Sequence, residues 1–398
     1  MALDFQQIYT KIHEIGATAR QRRERLESLR REARALFRQT AQDVDALRDK
    51  VESAKAVDPA IRCALPLKEA LDTHHPTPGL PLNATLIAAD GSQINPDRHG
   101  AVQYGLVNVG AIVLQPGSGQ TPQTFTDSQL LYDDELYTAE GNPLTDGMVA
   151  LKRDLDERRK LDELSAQYPA PVITFTDGPI ELWGAKDGQD AAFSQSLETY
   201  KTVLSRLQTN GVTTAGYVDK PAADLVVRLL ELMKLGDLSQ VENLRAQHPF
   251  RGVTDRWLFG EKGNPLLEPG ERSAVFQLQA KSEKDYRGVL ALHFFYLNVG
   301  THGHPWPVRV EIPRWVADDP EKLDALHAVL IEQCRVMGAK PYPYLLHRAH
   351  ETAVVKHEEK KQVEQMLLME IRRAGEETDD GSFKQSAKDL SGRGRFGQ

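Results

Sequence analysis

An apolar run that ends in aspartate and glycine occurs twice in this chain, and it constrains the fold more than any other feature. Residues 84–89 lead to Asp90-Gly91, and residues 172–176 lead to Asp177-Gly178. A short run without charges predicts a buried strand, and the aspartate that follows it lies at the rim of a sheet. A single such ending is ordinary turn chemistry, with Gly91 turning the backbone away. The repetition instead predicts two carboxylates at one edge of a mixed sheet.

A helix between these two strands supplies further carboxylates. Residues 145–168 carry apolar side chains at a helical period. Besides Asp146, a candidate for the helix cap, the acids of this segment are Asp154, Asp156, Glu157, Asp162 and Glu163. Helical spacing allows Glu157 to turn inward, and the sequence leaves Asp154 as the alternative.

Gathered carboxylates need cations. Bare carboxylates a few ångströms apart raise one another's pKa, whereas Mg²⁺ or Mn²⁺ keeps them ionised. Two ions about 3.5 to 4 Å apart can hold a phosphate, activate water and stabilise a leaving oxygen. The acids therefore predict metal-dependent hydrolysis of a phosphodiester.

A long helix precedes this region. From residue 5 to residue 51 apolar side chains recur at steps of three and four, the pattern of a coiled-coil seam that packs on another helix or on a partner chain. Between Arg20 and Arg38 arginines outnumber glutamates, which indicates a solvated face or a surface for phosphates or a protein partner. Prolines and glycines at residues 76–81 predict irregular structure, and His74 and His75 fall in this linker.

Composition excludes some classes of protein. A net charge of −8 disfavours nucleic-acid binding unless bound metals make the cleft positive. The chain lacks a run of about 18 apolar residues, so no membrane span is expected. Cys63 and Cys334 stand far apart, which argues against a disulfide framework and a thiolate zinc site. Without a visible secretory signal, we expect a cytoplasmic protein.

The remaining chain alternates further strands and helices. Strands are predicted at residues 102–114, antiparallel to the first strand, and at 124–132, 212–218, 274–278, 289–299 and 308–312. Helices are predicted at residues 190–208, 222–235, 320–337 and 345–374, followed by a polar, disordered tail. The last helix carries His347, Arg348 and His350, of which the two histidines share a face.

Taken in order, several of these segments resemble the NurA nucleases. The resemblance rests on the two Asp-Gly strand ends, on Tyr217-Val218-Asp219-Lys220 and on Thr254-Asp255-Arg256. It continues through the segments 267–273 and 306–313, and it ends with Tyr342-Pro343 and Arg348-Ala349-His350-Glu351. Each motif alone is unspecific, but their order across residues 84–355 is fairly specific.

The resemblance implies an RNase H-like core and a Mn²⁺-dependent, or Mg²⁺-dependent, DNA nuclease with two ions per site. It implies 5′-to-3′ exonuclease activity with endonuclease activity on single strands. It also implies a homodimer that works with the hexameric HerA ATPase in the resection of single- and double-stranded DNA ends. The expected catalytic and metal-binding residues are Asp90, Glu157, Asp177 and His350, with Tyr342 as a further catalytic residue.

DNA contacts are expected from Lys220, Arg272, Arg309 and Arg348, although Arg272 and Arg309 can equally pair with Glu271 and Glu311. The expected organisation is a coiled-coil segment (1–57), a linker (58–82), a nuclease domain (83–355), and a helical extension with a disordered tail (356–398). Two other readings stay open. One is an inactive adaptor of a DNA-translocating ATPase, and the other is a nuclease or phosphatase of another lineage, including one that acts on RNA.

Overall fold

The computed structural model describes residues 4–80, 83–183, 190–241, 244 and 247–375. Within these residues the chain forms two compact units, each built from two separate stretches. The first unit comprises residues 4–80 and 217–341, and the second unit comprises residues 83–216 and 342–375. The predicted disordered tail lies outside the described residues from 376 onward.

The predicted helices and strands are present with changed bounds, and in the described part of the chain the structure adds three short strands and two short helices that were not predicted. In chain order the helices are α1 (Phe5–Thr40), α2 (Val44–Val57), α3 (Asp146–Ser165), α4 (Asp190–Thr209), α5 (Leu225–Lys234), α6 (Asp255–Phe259), α7 (Arg314–Ala317), α8 (Pro320–Val336), α9 (Tyr344–Ala353) and α10 (His357–Arg373). The strands are β1 (Cys63–Pro66), β2 (His74–His75), β3 (Thr85–Ile94), β4 (Gly105–Leu114), β5 (Gln123–Leu131), β6 (Val172–Asp177), β7 (Thr213–Val218), β8 (Arg272–Ser273), β9 (Phe276–Gln279), β10 (Leu292–Asn298) and β11 (Pro307–Pro313).

The N-terminal segment is two helices rather than the single predicted one. The carbonyl of Ala41 accepts a hydrogen bond from the amide of Leu71 at 2.9 Å. That carbonyl would otherwise serve the next helical turn, so the helix ends and α2 begins three residues later. In α1 the predicted seam is exposed over its first half, for example at Ile12, and buried in its second half, for example at Ala33.

The predicted linker contains paired strands. β1 pairs with β9, and β2 pairs with β8, both antiparallel. The β2 pairing stops at His75, directly before Pro76, because proline has no amide hydrogen to donate. The expectation of irregular structure was therefore wrong for His74 and His75. In this strand His74 Nδ1 lies 2.9 Å from Glu271 Oε1, and His75 Nε2 lies 2.6 Å from Glu69 Oε1.

The first unit holds the strand order β1-β9-β10-β11, with antiparallel pairing between β9 and β10 and between β10 and β11. Its core includes the stacked rings of Phe276 and Phe294 and those of Phe259 and Tyr296. Asp255 is fully buried beside them, where it accepts hydrogen bonds from the Tyr296 hydroxyl and from the first amides of α5. Burial raises the pKa of Asp255 to about 6.

A buried histidine in the first unit makes stability depend on pH. The His327 Nε2 atom donates to the carbonyl of Gly270 at 2.7 Å, whereas Nδ1 is buried without a partner among the described atoms. Burial lowers the pKa of His327 to about 4. A histidine held neutral in the folded state stabilises fully above its unfolded pKa of about 6.5, and that stability is lost as the pH falls from there toward the folded value.

We expect His327 to lower the free energy of unfolding by about 2 kcal/mol between pH 7 and pH 5. Urea denaturation of the wild type and of His327→Gln at both pH values measures this. The quantity to compare is the pH-dependent change within each protein, because the substitution also shifts overall stability. The loss should be about 2 kcal/mol smaller in His327→Gln, and an equal loss in both proteins contradicts the assignment.

The second unit has the strand order β7-β6-β3-β4-β5. β3, β4 and β5 form an antiparallel meander, and β6 lies parallel to β3 on its other side. The helices α3 and α9 pack on β3 and β4. This mixed sheet flanked by helices is the RNase H-like core that was expected.

The predicted final helix is divided in two. α9 ends at Ala353, whose carbonyl accepts hydrogen bonds from the Ser92 hydroxyl at 2.5 Å and from Asn108 Nδ2 at 2.7 Å. A carbonyl bound by two side chains does not continue the helical ladder, so the chain turns before α10 begins at His357. Among the described helices, none is long and apolar enough to cross a membrane.

Candidate active site

Asp90 lies within β3 rather than at its end. The strand continues for four residues beyond it, to Ile94, so the expected turn at Gly91 was wrong. One carboxylate oxygen of Asp90 accepts the amide of Gly91 at 2.9 Å. The other accepts a hydrogen bond from His350 Nδ1 at 2.7 Å. The aspartate and the histidine that the sequence separates by 260 positions are therefore in direct contact.

The approach of α9 to the sheet brings His350 to Asp90. Gly110 of β4 is the register partner of Asp90. A Cβ atom added at Gly110 would lie 2.5 Å from the amide nitrogen of Ala353 and 2.8 Å from the carbonyl oxygen of Ala349, both in the backbone of α9. The helix therefore rests on a bare strand backbone. The bonds from Ser92 and Asn108 to the end of α9 hold it there.

Glu157 reaches the site from α3, across the position of Gly91. A Cβ atom at Gly91 would lie 2.7 Å from Glu157 Oε1 and 2.5 Å from Arg153 Cγ. Gly91 is needed for this close approach, not for a turn. Glu157 is 7% exposed, whereas the Asp154 side chain is 37% exposed and paired with Arg153. The geometry thus favours Glu157 over Asp154 as the inward-facing acid of this helix.

Strand register brings Asp177 beside Asp90. β3 and β6 are parallel, with Ala89 opposite Thr176. The Thr176 hydroxyl accepts from Arg158 of α3, so Thr176 faces that helix. Side chains alternate along strands, and the next residues, Asp90 and Asp177, therefore both face the opposite side, that of α9. Neighbouring strands lie about 4.8 Å apart, which brings the two aspartates together at this edge.

Glu157 is a buried acid with other acids close to it. Its pKa is raised well above the ordinary value, first by burial and then by the negative charges of Asp154 and Asp90. Two guanidinium groups act in the opposite direction. Arg153 lies 3.4 Å from Glu157 Oε1, and the buried Arg158 lies beneath the sheet edge, bound to Thr176 and Thr214.

The donor atoms at this edge suit a hard divalent cation. Carboxylate oxygens and an imidazole nitrogen are ligands of Mn²⁺ and Mg²⁺, and a cation would offset the repulsion that raises the pKa of Glu157. Across the described part of the chain, no three His, Cys, Asp or Glu side chains are already gathered as a closed metal site. The fit to a metal therefore rests on the chemistry of the donor atoms and on the burial of Glu157.

The other predicted site residues are more scattered. Tyr342 precedes α9, while His350 lies in its last turn, about 9 Å along the axis from the start of the helix at Tyr344. Arg348 is half-exposed on α9 and pairs with Glu351. Lys220 is exposed in the first unit, directly after β7.

Two of the expected DNA-binding arginines are buried in the first unit. Arg309 is 7% exposed and its Nη2 atom lies 2.8 Å from Glu311 Oε1. Arg272 is 5% exposed, donates to the carbonyl of Ser273 and lies 3.8 Å from Asp324. Burial leaves neither guanidinium open to a phosphate, so the prediction of DNA contacts was wrong for both in this structure. Arg309 takes the structural alternative with Glu311, but Arg272 pairs with Asp324 rather than Glu271.

A comparison with known protein families shows to which family this chain belongs. The model of the NurA domain matches residues 84–355, more than half of the chain and the whole of the edge that carries Asp90, Glu157, Asp177 and His350. The chain belongs to the NurA family. Membership of this nuclease family supports a nuclease, a hydrolase that acts on DNA. A comparison with curated proteins finds no match.

Solved structures similar to this NurA chain are distant in sequence. The NurA nuclease from Sulfolobus solfataricus is 12% identical, with 92% of this chain and 98% of that chain covered and a TM-score of 0.47. The catalytic domain of human endonuclease V is 13% identical, with 81% and 98% covered and a TM-score of 0.33. Drosophila Piwi is 14% identical, with 69% and 30% covered and a TM-score of 0.30.

Sequence reasoning missed several residues that shape the site of this NurA domain. Arg153 precedes Glu157 by one helical turn, a spacing that signals an ion pair. Gly110 lies in an apolar strand, where an isolated glycine signals the close approach of another backbone. Ser92 and Asn108 carry no recognisable signal, because their common partner is the Ala353 carbonyl more than 240 residues away.

Proposed function

We propose that this chain is a metal-dependent DNA nuclease that cleaves phosphodiester bonds at the edge formed by Asp90, Glu157, Asp177 and His350. The observation that carries the proposal is the direct contact of Asp90 with His350 beside the buried, crowded Glu157. Such an acid cluster destabilises the fold unless a bound cation compensates its negative charge. The Mn²⁺ dependence, with Mg²⁺ as the alternative ion, belongs to the proposal.

The three acids and the histidine have assigned roles in the proposed reaction. Asp90, Glu157 and Asp177 would hold the metal through carboxylate oxygens, and His350 through its ring. When bound, two divalent ions activate the attacking water and stabilise the leaving oxygen. The hydrogen bond to Asp90 holds the proton of His350 on Nδ1 and makes Nε2 the nitrogen that binds or exchanges a proton.

The burial of Glu157 and the exposed basic residues of the chain also support the proposal. Glu157 is shielded from bulk water by the packing of α3 on β3, which strengthens its interaction with any bound charge. Arg348 and Lys220 are exposed cations that we assign to DNA phosphates. We assign Tyr342, which precedes α9, to contact with the DNA substrate.

The proposal extends to polarity and partners. We infer 5′-to-3′ exonuclease activity with single-strand endonuclease activity, on DNA ends, in a homodimer that works with a HerA-type hexameric ATPase. The exposed apolar seam of α1, with Ile8, Ile12 and Ile15, supports a helical partner of the kind that a dimer provides.

A substrate panel tests the proposed function. The purified full chain is incubated with single- and double-stranded DNA and RNA of one sequence, labelled at either end, in Mn²⁺, Mg²⁺ or EDTA. We expect cleavage of DNA with Mn²⁺, weaker cleavage with Mg²⁺ and none with EDTA, since the acids need a cation. A 5′-label should appear first in mononucleotides.

Other outcomes favour the competing readings. Cleavage of RNA alone would assign the chain to a different substrate class. Lack of cleavage in every condition, together with tight binding to a hexameric ATPase, would favour an adaptor. The Asp90–His350 contact argues against the adaptor, because an inactive core has no need of an aspartate and an imidazole in hydrogen-bond contact at this edge.

A further inference from the structure

Arg153 contacts Glu157, one of the acids that we assign to the metal, and we propose that its guanidinium competes with the divalent ion for this carboxylate and for the charge of Asp90. In the metal-free chain Arg153 neutralises Asp154 and Glu157, and metal binding releases it. Arg153 is thus a positioning residue that sets how much metal the site requires. This inference rests on the proposed function, since it concerns the same acids.

The contacts of Arg153 define the competition. Its Nη2 atom lies 2.7 Å from Asp154 Oδ1, and its Nε atom lies 3.4 Å from Glu157 Oε1. Its stem crosses the Cα of Gly91, so the side chain lies directly over the strand that carries Asp90. The charge of Asp90 also acts on it. The guanidinium of Arg153 therefore interacts electrostatically with three carboxylates, those of Asp154, Glu157 and Asp90.

Arg153 is held loosely enough to leave. Its contact with Glu157 is longer than a normal charge-assisted hydrogen bond of about 2.7 to 2.9 Å. Its side chain is 31% exposed, and its shortest contact is with Asp154, a half-exposed neighbour on the same helix. A divalent ion carries twice the charge of a guanidinium and binds carboxylate oxygens directly, so it can displace such a contact.

Arg158 on the same helix shows the contrast. It is 2% exposed, donates to Thr176 at 2.7 Å and to Thr214 at 3.1 Å, and lies 5.9 Å from the centre of the Tyr200 ring. A buried cation whose two terminal nitrogens each donate to a threonine hydroxyl stays in place when a ligand binds to Glu157. Of these two arginines, Arg153 is therefore the exchangeable one.

The test is the affinity of the full chain for Mn²⁺, measured by electron paramagnetic resonance without DNA. Arg153→Met keeps the apolar stem over Gly91 and removes the charge. We expect it to bind Mn²⁺ about tenfold more tightly than the wild type, because the competitor is gone, and Arg153→Lys to return the affinity toward the wild-type value. Arg159→Met is the matched control, since Arg159 lies on the same helix but pairs with Asp156, which is not one of the proposed metal ligands. It should leave the affinity unchanged.

A second readout follows thermal stability. Without metal, Arg153→Met should unfold at a lower temperature than the wild type, since Glu157 loses a neutralising cation, and it should gain more from added Mn²⁺. Unchanged or weaker Mn²⁺ binding by a folded Arg153→Met, while the wild type binds Mn²⁺ in an Asp90-dependent way, overturns the role of Arg153 alone. Lack of Asp90-dependent binding in the wild type overturns the proposed function and this role with it.

Discussion

Asp90→Asn is expected to abolish metal-dependent cleavage, lowering the turnover of DNA by about a thousandfold or more, while the chain stays folded. Removal of one group that stabilises charge at a catalytic centre lowers turnover by about 10²–10³, and Asp90 is also one of the proposed metal ligands. Asparagine has the same shape, and its Oδ1 can still accept the amide of Gly91. The loss should therefore come from the missing charge and not from unfolding.

The measurement is single-turnover cleavage of end-labelled DNA over a range of Mn²⁺ concentrations, with circular dichroism to check folding. Asp127→Asn is the matched control, because Asp127 is an exposed acid of β5 whose ion pair with Lys160 lies on the surface. It should cleave at the wild-type rate. If a folded Asp90→Asn variant retains Mn²⁺-dependent cleavage, the assignment of the site is wrong.

The second large effect is expected at Gly110. Gly110→Ala should lower the free energy of unfolding by about 3 kcal/mol, at the upper end of the 1–3 kcal/mol that overpacking of a core typically costs. The added methyl group meets the backbone atoms of Ala349 and Ala353, which cannot rotate away as a side chain can. Relief comes from lifting α9, which withdraws His350 from Asp90.

Stability and activity should therefore fall together in this variant. Urea denaturation measures the first, and DNA cleavage at saturating Mn²⁺ measures the second, where we expect a loss of about 10–100-fold, the scale for removal of a group that orients a ligand. Gly236→Ala is the control, since a Cβ atom there meets nothing within 4 Å. Wild-type stability of Gly110→Ala would show that α9 does not rest on this strand.

Local sequence patterns predicted the sheet of the second unit well. Uncharged runs at β3 and β6 identified the strands that carry Asp90 and Asp177, and the meander of β3 and β4 followed from an apolar segment after a Pro-containing turn. These elements are set by short-range hydrophobic periodicity, which the chain displays directly. Parallel strands then bring the two acids to one edge.

Breaks and long-range contacts could not be read in the same way. α1 ends where the Ala41 carbonyl binds Leu71, and α9 ends where two side chains of the sheet bind Ala353. In both cases a partner distant in sequence overrides the local helical propensity. The burial of Arg309 is of the same kind, since a charged residue in a strand is predicted to be exposed until its partner Glu311 is found beneath the surface with it.

The contact between His350 and Asp90 can form only after a delay during synthesis of the chain. At about 5–20 residues per second, a ribosome needs roughly 13 to 50 s to advance from residue 90 to residue 350. From residue 177 onward the nascent chain carries the acids of β3, α3 and β6 without His350. A translation product that stops before α9 would carry these acids without His350. The proposed catalytic edge is therefore completed only after most of the chain has been synthesised.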